Sequence, residues 1–333
     1  MARTAVLGAG SWGTAFSMVL ADAGNDVHLW GRREELCEVI NAKHENPDYL
    51  PGIALPDVIE SSHDPAEVLD GCEVVVLAVP SQRLRTNLAQ WAEHIPTDAI
   101  VVSLMKGIEL GTHMRMSEVI AEMTGAGPER IGVVSGPNLA REIAAREPAA
   151  SVVACADETV AEYLQQVCHT SAFRPYTNTD VIGCELGGTT KNIIGIAVGV
   201  TDGLGFGDNA KATVITRGLA ETARLGHAMG ADPRTLSGLA GLGDLVATCS
   251  SPLSRNRSFG EKLGKGMSVD EVVASTRQVA EGVKSCQAVA ELAKLHGVEM
   301  PIVELVAALI RGDTTPEETV STLISRQARP ESE

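Results

Sequence analysis

The fold turns on one stretch near the N-terminus, Thr4-Ala-Val-Leu7 running into Gly8-Ala-Gly10-Ser11-Trp12-Gly13. Short and apolar, Thr4–Leu7 predicts a buried strand, and the apolar segment Trp12–Asp22 predicts a helix directly behind the turn. Gly8 permits the tight turn, Gly10 lets the backbone come close to a bound group, and Gly13 lets the helix lie against the strand. The helix N-terminus then offers free N–H groups and partial positive charge to a pyrophosphate. Alone, a Gly-x-Gly-x-x-Gly run reads equally well as a plain glycine-rich turn. The flanking strand and helix make it a dinucleotide-binding signal.

Outward from this stretch, Val27–Trp30 predicts a second strand and Arg33–Ala42 a second helix. Further strands are expected at Glu73–Ala78, Ala99–Ser103, Ile131–Val134 and Ser151–Ala154, with a helix over Arg83–Glu93. These runs are continuously hydrophobic rather than alternating, so their strands should be covered on both faces, as in a parallel sheet flanked by helices. The expected fold class is α/β: an N-terminal Rossmann-like, doubly wound parallel sheet, joined to an all-α C-terminal domain. The position of Val79-Pro80-Ser81, after the run Glu73–Ala78, puts it beside the dinucleotide site. The end of the second strand reads Trp30-Gly31-Arg32-Arg33. An acidic residue there would hold the ribose hydroxyls of NAD, whereas two guanidinium groups suit a 2′-phosphate. The expectation is NADP(H) preferred, with NAD(H) possible. The alternative is a solvated helix start in which Arg33 pairs with Glu34 and Glu35.

From about Thr179 onward β-branched runs give way to Ala, Leu, Glu and Lys at helical spacing, as in Arg217–Met229, Ser268–Ala274, Ser285–His296 and Ile302–Ile310. Ser268 with Glu271 three residues later makes a capping box, and Pro316 with Glu317 and Glu318 opens a last helix. Gly226, Gly230, Gly297 and Gly312 stand where helices should stop. A length of 333 residues fits two domains, 1–180 and 181–333, with only the tail Ala-Arg-Pro-Glu-Ser-Glu expected to be disordered.

Aromatics make up 3% of the chain, so its core must be aliphatic. A net charge of −16 argues against nucleic-acid binding and requires a local basic pocket for any anionic substrate. Seven cysteines without Cys-x-x-Cys spacing argue against a disulfide framework or a structural zinc, and the scattered histidines against any metal site. No signal peptide and no stretch approaching ~18 apolar residues is present, which predicts a cytoplasmic protein without stable membrane insertion.

Further segments carry chemistry-bearing residues. They include Ser103-Leu-Met-Lys106-Gly107, Ser135-Gly136-Pro137-Asn138-Leu-Ala140, Leu186-Gly187-Gly188-Thr-Thr-Lys191-Asn192, Gly241-Leu-Gly243-Asp244-Leu245 with Thr248, and Ser254-Arg255-Asn256-Arg257. Together with the N-terminal glycines they resemble, in order and approximate spacing over nearly the whole chain, the bacterial NAD(P)-dependent glycerol-3-phosphate dehydrogenases. The resemblance implies reversible reduction of dihydroxyacetone phosphate to sn-glycerol 3-phosphate, in the service of glycerophospholipid synthesis, and a possible homodimer. Lys191 looks like the family's catalytic lysine, with Asp244 as its orienting partner. The apolar run Ile193–Val200 argues that this lysine's helix is buried, and Gly187 and Gly188 would leave open space around its stem. The resemblance also implies cofactor contacts at Gly8, Gly10, Ser11, Trp12, Gly13, Arg32, Arg33, Lys106, Ala140, Arg255, Val279 and Glu281. Substrate contacts are implied at Lys106, Gly136, Asn138, Lys191, Asn192, Asp244, Thr248, Ser254, Arg255 and Asn256. Family members often carry Ser or Thr in place of Asn138. Ser254 could cap a helix that presents Arg255 and Asn256 to a phosphate.

Two other readings compete. A related dehydrogenase of 3-hydroxy acids or sugar acids would share the glycines and a helical lysine without requiring Ser254-Arg255-Asn256-Arg257. A catalytically silent nucleotide sensor would have lost Lys191 or Asp244, and both are present.

Overall fold

The computed structural model describes residues 1–275, 280–325 and 330. Val279 therefore lies outside the described residues, as do all residues of the tail 328–333 except Pro330.

Eight strands form one sheet: β1 (Arg3–Leu7), β2 (Asp26–Trp30), β3 (Ile59–Ser62), β4 (Val74–Leu77), β5 (Ile100–Ser103), β6 (Ile131–Ser135), β7 (Ala149–Cys155) and β8 (Phe173–Asn178). Their order is β3-β2-β1-β4-β5-β6-β7-β8. The chain reverses direction across the sheet between β1 and β4, which creates a crevice at their carboxyl ends. Alternate residues of the central strands feed two apolar layers. Val6, Leu29, Val76 and Val102 pack with Phe16 and Leu20 on one face. Ala5, Leu7, Val75, Leu77 and Val101 pack with Leu84, Leu88 and Trp91 on the other. Burial on both faces is the physical reason for the unbroken hydrophobic runs.

The sheet departs from expectation in two ways. β7 runs antiparallel to β6, so the sheet is mixed rather than wholly parallel. β3 and β8 have no counterpart in the sequence reading. Both are edge strands: β3 is Ile-Glu-Ser-Ser, and β8 contains Pro175 and alternates buried with exposed residues at its start. Neither has the continuous apolar run that a central strand needs.

After β8 the described residues form only helices. The helix Val181–Gly203, capped by Asp180, runs through the middle of this half, and the helices Asp208–Ala228, Asp244–Ser250, Arg255–Gly264 and Glu281–Leu295 surround it. The Ser268–Glu271 capping box forms, and Thr315 with Glu318 makes another ahead of Pro316. Gly230, Gly297 and Gly312 adopt the left-handed conformation that ends helices. Gly226 does not: it lies inside the helix Asp208–Ala228, where a Cβ would come within 2.9 Å of Leu236. All seven cysteines are buried and free.

Candidate active site

The turn after β1 is shaped by close backbone approach. Gly8 has φ +134°, and a Cβ there would lie 2.5 Å from the carbonyl oxygen of Ala78 at the end of β4. A Cβ at Gly13 would lie 1.9 Å from the Gly8 carbonyl oxygen. Gly10 caps the helix Ser11–Asp22 without a side chain, and the space a Cβ would enter is open. An uncovered helix N-terminus at the sheet's switch point is the geometry that accepts a pyrophosphate. Ser11 donates its hydroxyl to the Tyr49 carbonyl at 3.0 Å, and Trp12 stacks edge-on against Phe16. Trp12 Nε1 is buried without a hydrogen-bond partner.

Arg32 and Arg33 follow β2, both exposed. Arg33 does not pair with Glu34 or Glu35. Its guanidinium hydrogen-bonds the Asp48 carboxylate, from the loop that follows the next helix.

The two halves of the chain meet at a group of charged side chains. Three residues beyond β5, Lys106 donates to the Gly136 carbonyl at 3.0 Å and to Asp244 Oδ2 at 2.5 Å. Lys191, on the helix Val181–Gly203, donates to Asp244 Oδ1 at 2.5 Å and to Thr248 Oγ1 at 2.7 Å. Asp244 is brought there by a π-helical turn, Leu239–Gly243, and Thr248 lies one helical turn further on. The Asp244 side chain is 1% exposed and the two lysines 13% and 11%. One buried carboxylate thus spans two ammonium groups, leaving the trio with a net positive charge. Burial lowers the Lys191 pKa to about 8; Asp244 opposes that shift and the Lys106 charge adds to it.

Gly187 and Gly188 do not leave open space around the lysine stem. A Cβ at Gly187 would meet the Ala240 carbonyl oxygen at 2.5 Å, and one at Gly188 would meet Ser135 Oγ at 2.7 Å and Lys106 Cγ at 3.2 Å. These glycines let the helix press against the turn after β6 and against the segment that delivers Asp244. In that turn Asn138 donates to Ser151 Oγ at 3.1 Å, while Asn138 Oδ1 and Ser135 Oγ are buried without partners. Ala140 opens the short helix Ala140–Ala144 and packs on the sheet core.

Ser254 caps the helix Arg255–Gly264 by accepting from Arg257 N at 3.2 Å. Arg255 lies at its first position, exposed and within electrostatic reach of Glu281. Arg257 is turned away and paired with Asp202 at 2.6 Å. Asn256 joins three helices: it donates to Asn192 Oδ1 at 2.9 Å and accepts from Gly282 N at 3.0 Å. Glu281 accepts from Ser81 Oγ at 3.0 Å, linking the segment after β4 to the helical half. Burial pushes its carboxyl above the ordinary range, against the pull of Ser81 and Arg255. The sequence reading did not single out Asp48 or Ser151. Each touches a candidate residue through a tertiary contact, and neither carries a local motif.

Two family models match the chain, one after the other. Residues 3–161 match the N-terminal model of NAD-dependent glycerol-3-phosphate dehydrogenase, and residues 180–321 match its C-terminal model. Glycerol-3-phosphate dehydrogenase [NAD(P)+] of Streptomyces griseus is 63% identical over 99% of this chain and 98% of its own length. The enzyme of the same name from Thermobifida fusca is 63% identical over 99% of both chains. Among solved structures, glycerol-3-phosphate dehydrogenase from Coxiella burnetii superposes with a TM-score of 0.93 at 38% identity, covering 98% of this chain and 99% of that one. A ketopantoate reductase from Ralstonia eutropha, at 15% identity and a TM-score of 0.59, shares the fold alone. Two family models on consecutive segments and full-length relatives at this identity lead to one conclusion: the chain belongs to the NAD-dependent glycerol-3-phosphate dehydrogenase family.

Proposed function

We propose that this chain reversibly reduces dihydroxyacetone phosphate to sn-glycerol 3-phosphate with NADPH as the preferred reductant and NADH as a possible one. The observation that carries the reading is the Lys106–Asp244–Lys191 group at the junction of the two halves. It combines a lysine whose pKa lies near neutrality with net positive charge where an alkoxide would form. The two parts are a dinucleotide-binding domain, 1–180, and a helical substrate domain, 181–333.

The dinucleotide fits what the residues offer: a glycine turn closed on Ala78, an uncovered helix N-terminus at Gly10, and an unpartnered Trp12 Nε1. Gly8, Gly10, Ser11, Trp12 and Gly13 would hold the pyrophosphate, Arg32 and Arg33 the adenosine 2′-phosphate, and Ala140, Val279 and Glu281 the nicotinamide half. When bound, the nicotinamide supplies the hydride for the C2 carbonyl carbon. Lys191 holds the proton for the carbonyl oxygen in reduction and takes it back in oxidation. Asp244 and Thr248 fix the lysine's direction, and Lys106 adds positive charge beside the developing oxyanion. Arg255 at the Ser254-capped helix start would bind the substrate phosphate, assisted by the helix N–H groups. Gly136 and Asn138 would border the substrate, and Asn138 Oδ1 can accept a hydrogen bond from a substrate hydroxyl. Asn192 and Asn256 hold the lysine helix and the arginine helix in register. Anchoring the phosphate end orients the carbonyl for transfer.

Among the described residues no helix is long and apolar enough to cross a membrane. A cytoplasmic homodimer that supplies glycerophospholipid synthesis is part of the proposal. The test follows NADPH and NADH consumption separately with dihydroxyacetone phosphate, for wild type and Lys191→Ala. Turnover that depends on Lys191 supports the reading. Tight dinucleotide binding without turnover of this substrate would overturn it.

A further inference from the structure

The Arg33–Asp48 contact lies at the point where the two dinucleotides differ. Arg33 ends the turn after β2, where the adenosine ribose of a bound dinucleotide is read. Asp48 comes from a different segment, and that segment is tied to the glycine turn by several bonds. Asn46 donates to the Ala9 carbonyl at 3.0 Å and to Thr14 Oγ1 at 2.8 Å. The Tyr49 carbonyl accepts the Ser11 hydroxyl at 3.0 Å. Asn46 is fully buried, so Asp48 is presented from an anchored loop and not from a wandering one. The Arg33 and Asp48 side chains are 47% and 43% exposed, so the contact contributes little to stability. Its effect falls on whatever Arg33 faces. The carboxylate holds the Arg33 guanidinium pKa above its usual value and occupies one of the donors, Nη2, that a phosphate would take.

We infer that Asp48 is a specificity-determining residue that tempers the preference for NADP(H): it competes with the 2′-phosphate for Arg33 and places a negative charge beside it. A 2′-phosphate carries close to two negative charges and meets both effects; a 2′-hydroxyl meets neither. The carboxylate can instead accept a hydrogen bond from a ribose hydroxyl. The chain therefore keeps two arginines for NADP(H) and one acid that leaves room for NAD(H). The inference rests on the reading of Arg32 and Arg33 as the 2′-phosphate site.

The test is direct binding of NADPH and NADH to the full-length protein, followed by fluorescence, with no turnover required. Asp48→Asn keeps the shape and removes the charge, and Asp48→Ala removes the contact. Both should tighten NADPH by about two- to fivefold, the range an exposed ion pair carries. NADH should be unchanged or weaker. In an Arg33→Ala background the gain from Asp48→Asn should shrink, because the competition runs through Arg33. If Arg33→Ala selectively weakens NADPH but Asp48→Asn alters neither affinity, the inference is overturned and the phosphate reading stands. An equal gain for both dinucleotides also overturns it. If Arg33→Ala leaves NADPH binding intact, the phosphate reading fails and the inference goes with it.

Discussion

A lysine ammonium in water gives up its proton only around pH 10.4, so a lysine that exchanges protons near neutrality needs help from its surroundings. Lys191 receives that help chiefly from burial, with Lys106 adding to it and Asp244 holding it in check, for a pKa of about 8. Replacing Lys191 with Ala should lower kcat by roughly 10²–10⁴-fold, the range a positioned acid–base group contributes. Dinucleotide affinity should survive, so a parallel binding titration separates lost chemistry from lost folding. The pH dependence has a definite sign. In the proposed mechanism reduction uses the protonated lysine, so its kcat/KM should fall as pH rises through about 8, while oxidation should rise through the same value. Asp244→Asn removes the influence that raises this pKa, so both limbs should move to lower pH. A shift to higher pH would contradict the assigned electrostatics. Lys191 and Asp244 were singled out through the family resemblance of the segments that carry them; local spacing alone would not have set this lysine apart from one on a helix surface. The Lys106–Asp244 contact was not legible in the sequence, since its partners are separated by 138 positions and only the packed structure joins them.

At the scale of elements, the site depends on two helices in close contact. Glycines at 195, 199 and 203 recur every fourth residue along the helix Val181–Gly203, and Gly260 and Gly264 recur likewise on the helix Arg255–Gly264. A Cβ at Gly199 would fall 2.0 Å from the Arg257 carbonyl oxygen, and one at Gly260 would fall 2.0 Å from the Ile196 carbonyl oxygen. Backbone meets backbone, so no flexible side chain can yield. Gly199→Ala should therefore displace the helix that begins with Arg255, costing about 1–3 kcal/mol of stability as overpacked sites do. The displacement should raise KM for the phosphate substrate more than KM for the dinucleotide. Steady-state kinetics at saturating NADPH, set beside a thermal melt, would check it; a variant with unchanged substrate KM would count against this account of how Arg255 is placed. A four-residue glycine spacing does not by itself say which helix lies opposite, so this contact is a finding of the structure alone. Strand legibility shows the same limit. The central strands announced themselves by continuous apolar runs, whereas β3 and β8, at the sheet edges, lacked the two-sided burial that writes such a signal.

For the molecule as a whole, the question is what keeps the two halves registered so that Lys106 reaches Asp244. Besides the Ser81–Glu281 bond and the active-site charges, the halves are joined by the pair formed between Arg115 and Glu185. Arg115 precedes the helix Met116–Thr124 of the first half, and Glu185 lies on the helix Val181–Gly203. Their charged groups meet at 2.7 Å, and Glu185 also accepts from Ser117 N at 2.8 Å and Ser117 Oγ at 2.6 Å. Burial pushes the Glu185 carboxyl above its usual range, and Arg115 and Ser117 pull it back. Removing the arginine alone leaves a carboxylate buried with hydrogen bonds but no countercharge. Arg115→Met should accordingly destabilise the protein by up to about 3–5 kcal/mol, with the two Ser117 bonds softening the loss. The pH dependence follows from the sign of the shift. With its counterion gone, the folded-state pKa of Glu185 rises further above the unfolded value. The resulting deficit should then be greatest near neutral pH and shrink as pH falls and the carboxyl takes up a proton. Arg115→Met/Glu185→Leu, which removes both charges, should regain much of the lost stability, because the pair's attraction largely offsets its own desolvation. Thermal melts of the three proteins at neutral pH and near pH 5 test the argument. A single variant as stable as wild type, or a double variant less stable than the single, would show that the halves are held in register by other contacts.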